Sequence, residues 1–284
     1  MIVGTPIGNL DDLSPRAIAA LREASAIFCE DTRVTAKLTG RFGLPAPRIS
    51  VPPPRERSRV PELLRRLGAG ETVALVSDAG MPGLSDPGAT LVAEAAREGF
   101  PVLVIPGPSA PAAALAVSGI SAVPHLFLGF LPARAGERGR LLDSVKDRTE
   151  TLVWFEAPHR LVGSLEDAAR RLGARRACVA RELTKLHEET VRGELPAVAG
   201  IFRERGEARG ELTVVVEGRG ERQAAADPAD LDTAIRSLLA TGKPRRQVAR
   251  EVAAQTGTPA REIYARSLAL SAGEVAPATG RRRG

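Results

Sequence analysis

Short, unbroken apolar runs punctuate the first half of the chain, with helically spaced stretches between them. Met1–Gly4, Ala26–Cys29, Val73–Ser77 and Val102–Pro106 are too short for helices and show no polar alternation. They predict strands buried on both faces. The intervening stretches carry start signals. Ser14-Pro15 sets a cap and a proline at the first helical position ahead of AIAALREA. Asp86-Pro87 repeats the device before GATLVAEAAREG, which Gly99 ends. Strand, helix, strand in series predicts a largely parallel sheet with helices on its faces.

The second half repeats the pattern less regularly. LFLGF within Val123–Arg138 predicts a strand followed by a Pro/Gly/Arg loop, and a domain boundary is placed there. Strands at Thr151–Phe155, Ala177–Arg181 and Leu212–Glu217, with a helix at Pro158–Leu172, predict a second α/β domain. A polar linker, Gly218–Asp227, precedes three short helices at Pro228–Ala240, Pro244–Thr256 and Pro259–Leu270. The last two flank Gly257 in a helix-turn-helix outline. The expected division is 1–122, 123–218 and 228–271, with a basic tail, 272–284, expected to be disordered.

Composition narrows the class. Of 284 residues, 43% are hydrophobic and 26% charged, which fits a soluble globular protein. No apolar stretch approaches the roughly 20 residues that span a bilayer, and MIVGTPIG lacks the basic start of a secretory signal. A cytoplasmic protein with no membrane contact is expected. Cys29 and Cys178 sit in apolar runs and read as buried thiols, and His125, His159 and His187 lack metal-ligand spacing, so no metal is expected. The net charge of +6 favours a polyanionic partner. With aromatics at 3%, a base-stacking platform is disfavoured, so such contacts would be electrostatic.

Candidate chemistry lies where the strands end. Gly4-Thr5-Pro6-Ile7-Gly8, Ser77 through Gly88, and Pro106-Gly107-Pro108-Ser109-Ala110 each follow a predicted strand. Parallel sheets bind ligands there, and three such turns in succession predict one ligand surface. No G-x-G-x-x-G follows the first strand and no G-x-x-x-x-G-K-[ST] occurs, which argues against a dinucleotide or a P-loop ATPase. Ser77–Gly88 holds two aspartates and no Lys or Arg, so a cofactor with a positive centre fits better than a phosphate.

The ordered motifs TPIGNLDDLSPRA, CEDTR, LVSDAGMPGLSDPG, IPGPSA, FLGFLP, FEAPHR, ARELTKLHEE and GELTVVVEG resemble the tetrapyrrole methylase superfamily, in its branch of small-subunit ribosomal RNA methyltransferases. The resemblance runs over about 1–218, and the helical tail is similar to that branch's C-terminal domain. It implies a two-domain α/β, class III methyltransferase fold with a small C-terminal helical domain. It also implies S-adenosylmethionine as cofactor, 2′-O-methylation of a cytidine in 16S ribosomal RNA, and a homodimer acting on that RNA or on the small ribosomal subunit. The rivals are a tetrapyrrole C-methyltransferase and a non-catalytic RNA-binding assembly protein.

By the same resemblance, Pro6, Asp78, Met81, Ser109 and Ala110 fall at cofactor contacts, as do Phe155, Glu156, Leu183 and Thr213 in the second half. Lys185 is the candidate general base, provided burial or nearby cations depress its pKa. Glu182 is the candidate to orient it or take the proton, and a plain Glu182–Lys185 surface pair is the alternative. Asp31, Arg33, Arg134, His159, Arg160 and Arg181 are the substrate candidates. Asp31 and Arg33 either pair or leave Arg33 for a phosphate. His159-Arg160 opens a helix and forms an anion site. Arg134, with Arg138 and Arg140, forms a loop clamp. In the tail, Lys243, Arg245, Arg246, Arg250, Arg261 and Arg266 are candidates for RNA backbone. Two departures from the branch stand out: Met81 where threonine is usual, and Pro52-Pro53-Pro54 where a Tyr-His-x-His-Asn-like segment is expected. The N-terminus is also short, which predicts a clipped first strand or a misassigned start codon.

Overall fold

The structure is a computed structural model that describes residues 1–206, 208–219, 228–256, 258 and 260–272. Met1–Arg219 form one compact unit and the described residues from Pro228 onward belong to a second.

The first sheet holds β1 (Ile2–Val3), β2 (Ala26–Cys29), β3 (Arg48–Ser50), β4 (Val73–Val76) and β5 (Val104–Ile105), in the order β3-β2-β4-β1-β5. Every pairing is parallel. The helices α1 (Pro15–Glu23), α2 (Thr32–Phe42), α3 (Val60–Gly68) and α4 (Ala89–Arg97) make the crossovers, and α5 (Ala110–Ser118) leads from β5 to the second sheet. Alternate residues of β2 serve two cores. Ile27 and Cys29 pack with Leu21 and Leu38, whereas Ala26 and Phe28 pack with Leu63 and Leu91. Burial on both faces explains why these strands read as continuous apolar runs.

The second sheet differs from the first. Its strands are β6 (His125–Phe130), β7 (Thr151–Glu156), β8 (Arg176–Arg181), β9 (Glu189–Glu194) and β10 (Leu212–Val216), in the order β6-β7-β10-β8-β9. Only β6 and β7 are parallel, joined across α6 (Ala135–Val145); the other three pairings are antiparallel. The seven residues between β8 and β9 are too few for a parallel crossover. One face packs on α6, α7 (Leu161–Leu172) and α8 (Leu195–Arg205), around Trp154, Leu165 and Val214. The other face, with Val153, Cys178, Ala180 and Val215, packs on Ala114 and Leu115 of α5 and on Ile7. The two sheets thus share a core through α5.

Two strands have no signal in the hydrophobic pattern. β3 and β9 are edge strands, and β9 buries Val191 alone. An edge strand needs only one apolar face, so RIS and ETVRGE show no run. The helix starts divide as well. Ser14 accepts from the Ala17 N–H at 3.1 Å, as its position predicts. Asp86, in contrast, is not the cap of α4; the helix begins two residues later, after Gly88. A 3-10 turn, Pro158–Arg160, also precedes α7, so His159 and Arg160 stand ahead of the helix rather than in its first turn.

The second unit contains α9 (Pro228–Ala240), α10 (Arg245–Thr256) and α11 (Ala260–Ala272), around Leu231, Ile235, Val248, Val252 and Ile263. Most of the linker, Gly257 and nearly all of the tail lie outside the described residues. No described helix is long and apolar enough to cross a membrane. The described residues hold no group of three or more metal-type ligands, and Cys29 and Cys178 are buried and unpaired.

Candidate functional site

Three turns at the ends of β1, β4 and β5 pack backbone to backbone. Thr5 and Gly80 exchange N–H to carbonyl hydrogen bonds at 2.9 and 3.1 Å, and the Thr5 hydroxyl donates to the Ser77 carbonyl at 3.1 Å. A Cβ on Gly107 would stand 2.8 Å from the backbone of Gly4, so only glycine allows that approach. Opposite this floor, the register of the second sheet sets Phe155, Thr213 and Ala180 side by side across β7, β10 and β8. Between floor and sheet lies a cavity of about 400 Å³.

Its chemistry is one-sided. Ile7, Met81, Leu84, Pro111, Phe130, Phe155 and Leu183 supply apolar wall; Asp78, Asp86, Glu156 and Glu211 supply carboxylates; among the described residues no Lys, Arg or His lines it. Burial, with Asp78 nearby, pushes the Asp86 carboxyl up to about 6 against the effect of a Ser77 hydrogen bond. Burial also raises Asp78. The Glu156 carboxylate is fully buried. Its Oε1 accepts from the Ala157 N–H at 2.9 Å and lies 3.0 Å from Arg160 Nε, while its Oε2 has no hydrogen-bond partner among the described residues. The non-glycine residues with left-handed backbone among the described residues, Ser85, Glu182 and Thr184, all flank this cavity. Each conformation costs on the order of 1–2 kcal/mol, and such strain concentrates at working sites.

A second hollow, of about 480 Å³, opens beside the first. Glu30, Asp31, Thr32, Arg33, Ser50, Pro52, Pro53 and Asp78 line it, so Asp78 stands in both walls. Asp78 Oδ1 accepts from the Asp31 N–H at 3.1 Å. Asp31 caps α2 and pairs with Arg33, whose Nη2 lies 2.6 Å from Oδ2; these contacts hold the Asp31 carboxyl down to about 2. The Arg33 side chain is 89% exposed despite that pair.

The family model for Tetrapyrrole (Corrin/Porphyrin) Methylases matches residues 1–199. The chain belongs to this family. A second family model, the RsmI C-terminal HTH domain, matches residues 225–271 of the methylase. Proteins named "Ribosomal RNA small subunit methyltransferase I" are similar to it. The one from Synechocystis is 42% identical over 95% of this chain and 98% of its own length. The one from Thermotoga maritima is 45% identical over 77% of this chain and 98% of its own. Among solved structures, the methyltransferase CobJ superposes with a TM-score of 0.57 at 20% identity, covering 76% of this chain and 92% of that one. Diphthine synthase gives the same TM-score at 17% identity, covering 76% and 88%. These two likenesses concern the fold alone.

In this methylase Asp78, Met81, Ser109, Ala110, Phe155, Glu156, Leu183 and Thr213 all line the cavity. Pro6 does not; it is buried beneath the turn, and Ile7 lines in its place. Met81, the residue that departs from the usual threonine, also packs against the close approach of Gly4 and Gly107. Arg181 is turned away from the cavity. Successive residues of a strand face opposite sides, so Ala180 faces the cavity while Arg181 reaches Glu189 at 3.1 Å on the far side. Arg138 is no clamp: it is buried and donates from Nε to Asp167 at 2.7 Å. Arg160 is likewise turned inward, between Glu156 and the Leu131 carbonyl, whereas His159, Arg134 and Arg140 are exposed.

The Glu182–Lys185 pair is real and larger than expected. Lys185 Nζ lies 2.9 Å from Glu182 Oε1 and 3.1 Å from Glu211 Oε2. Burial pulls the Lys185 ammonium down, but its bonds to the two carboxylates outweigh it and raise the pKa. The condition for a Lys185 base, a depressed pKa, is therefore not met. Asp86, Phe130 and Glu211 line the cavity and lie inside the quoted motifs, but outside the site residues that the resemblance assigns. Asp86 was hidden by its resemblance to a helix cap, although it shares a cation-free turn with Asp78. Phe130 is visible only through its contact with Phe155, ring centroids 5.3 Å apart.

Proposed function

We propose that this methylase transfers a methyl group from S-adenosylmethionine to the ribose 2′-oxygen of a cytidine in small-subunit ribosomal RNA. The observation that carries the reading is the pairing of two hollows at Asp78. One is covered and lined, among the described residues, by apolar side chains and four carboxylates with no Lys, Arg or His, Arg160 and Lys185 pairing with Glu156 and Glu211 from outside that lining; the other is open and flanked by an exposed arginine.

The covered cavity fits the cofactor. Ile7, Leu84, Phe130 and Leu183 offer surface for an apolar ring system, and the buried Oε2 of Glu156 is an acceptor awaiting a donor. A sulfonium finds charge compensation from Asp78 and Asp86 in a site of low dielectric. S-adenosylmethionine supplies an electrophilic methyl on that cationic sulfur. The protein's part is to hold the acceptor oxygen near in-line attack distance, ~3–3.5 Å, while excluding water. The open crevice holds the acceptor nucleotide, with Arg33 near its phosphate. Asp78, present in both walls and raised by burial, is placed to accept the 2′-hydroxyl proton as the methyl transfers. Lys185 acts as a cation that ties Glu182 to Glu211, not as the base.

The helical unit supplies further RNA contact. Arg246, Arg250 and Arg261 are exposed there, while Lys243 lies 2.6 Å from Glu251 and Arg266 lies 2.5 Å from Asp232. A homodimer in the cytoplasm belongs to the same reading. The test incubates the protein with labelled cofactor and, separately, undermodified small subunits, naked ribosomal RNA and uroporphyrinogen, then maps the label by mass spectrometry. Label on a cytidine ribose is expected. Label on the tetrapyrrole alone would overturn the RNA reading, and label on a base would overturn the 2′-O assignment. Lys185→Met is expected to slow turnover about 10-fold with cofactor affinity kept within about threefold; unchanged turnover removes Lys185 from the mechanism.

A further inference from the structure

Helix α4 starts on a residue that cannot cap it. Gly88 has φ +137°, a conformation that L side chains rarely adopt, so Ser, Asp or Thr would be strained there. The first N–H groups of a helix need acceptors from elsewhere. Here one oxygen provides them: Glu56 Oε1 accepts from the N–H groups of Gly88 at 2.9 Å, Thr90 at 2.7 Å and Leu91 at 3.2 Å. Glu56 comes from the 3-10 turn Pro53–Arg59, which is itself fixed to the first sheet by the Arg59 Nε bond to the Ser50 carbonyl at 2.9 Å.

The turn that ends at Gly88 is the one that carries Asp78, Met81, Leu84 and Asp86 into the cavity. Its start is tied by the Thr5–Gly80 bridge. Its end contains Ser85 in a left-handed conformation, a strain that an anchor must hold. We propose that Glu56 is a positioning residue for the cofactor: it caps α4 from a neighbouring segment and thereby holds the turn Ser77–Gly88 in its binding form. A full negative charge also suits the positive end of the helix dipole. The same segment presents Pro52 and Pro53 to the open crevice. One stiff piece of chain thus sets the wall of one hollow and the loop of the other, which gives the Pro52–Pro54 departure a physical role.

The inference rests on the assignment of the cavity to S-adenosylmethionine, and the experiment separates the two. Cofactor affinity of the full chain is measured by calorimetry for the wild type, Glu56→Ala and Glu56→Gln, together with melting temperature, steady-state KM and kcat, and backbone hydrogen exchange over residues 77–91. Glu56→Ala is expected to weaken S-adenosylmethionine binding and raise its KM on the order of 10-fold, with kcat at saturation within about threefold. Exchange at residues 88–91 should quicken without ligand. Glu56→Gln keeps an oxygen acceptor and should recover most of the affinity. Unchanged affinity in Glu56→Ala overturns the proposal. So does an equal loss in both variants, since the acceptor would then not be what matters. If Glu56→Ala does not fold, Glu56→Met, which fills the same space without an acceptor, takes its place: affinity weakened about 10-fold at an unchanged melting temperature supports the role, and wild-type affinity overturns it. A wild type that binds no cofactor sinks the cavity assignment instead, and the exchange of residues 88–91 still reads whether Glu56 holds the loop.

Discussion

Two hollows meet at Asp78, and strand ends of one parallel sheet build both, yet one is covered and the other open to water. The cavity lies under the second sheet, which brings Phe155, Thr213 and Leu183 over it. The crevice has no such roof, and its walls are Glu30, Asp31, Thr32, Arg33 and two prolines. Charge therefore acts differently in the two. In the covered cavity carboxylates are desolvated and strengthened toward a cation, so Asp86 is driven up to about 6. In the crevice Arg33 and Asp31 are wetted and paired, and their influence on a charged ligand is weak and screened by salt. What differs is water exclusion rather than residue type. A methyl donor needs the first setting and a long polyanion the second.

The contrast can be broken most severely at the shared wall. Asp78→Asn should reduce kcat/KM for RNA methylation on the order of 100-fold, because it removes the proton acceptor and one of the charges facing the sulfonium. Single-turnover kinetics at saturating cofactor would isolate the proton-transfer loss; a rate within twofold of wild type would take Asp78 out of the chemistry. Next comes a pH effect confined to the covered side. Because the Asp86 carboxyl lies above its ordinary value, the free protein holds that proton as pH falls below about 6. A bound cation favours the ionised form, so S-adenosylmethionine affinity should rise as pH increases through about 6, by about 10-fold in all. S-adenosylhomocysteine has a neutral sulfur and should show a much flatter profile, as should Asp86→Asn with either ligand. The folded protein's own stability runs the other way: raised Asp86 contributes a penalty that grows as pH climbs from about 4 to about 6. The smallest effect belongs to the open side. Arg33→Ala should weaken RNA binding about threefold, lower its salt dependence and leave cofactor affinity unchanged. Equal losses of RNA and cofactor affinity would mean that the two hollows are not electrostatically distinct.

Much of the first sheet was legible in one dimension. β2 occupies Ala26–Cys29 as its apolar run predicts, and the Ser14 cap is local chemistry that needs no tertiary partner. Strand ends with Gly and Pro marked the floor of the cavity, and family motifs carried over eight of its lining residues. The failures have a common cause. Arg181 and Arg138 look like phosphate binders in sequence, but strand alternation sends one to the far face and burial binds the other to Asp167. Asp86 looks like a helix cap because Asp-Pro is a cap signal, and nothing local says that Glu56, 32 residues before Gly88, has taken that role.

The chain by itself determined the apolar strands of the first sheet and the helices that carry start signals, and that the turn after β4 would hold no Lys or Arg. Those properties follow from backbone sterics, caps and apolar spacing within about ten residues, so they can be read along the chain. Tertiary structure alone decided that the second sheet is mainly antiparallel, that its Phe155–Thr213–Ala180 row covers the turns, and that Lys185 is clamped between Glu182 and Glu211. The physical reason is that dielectric and charge pairing depend on groups far apart in sequence. A carboxylate or an ammonium acquires its pKa only when the fold has set what lies beside it and how much water remains.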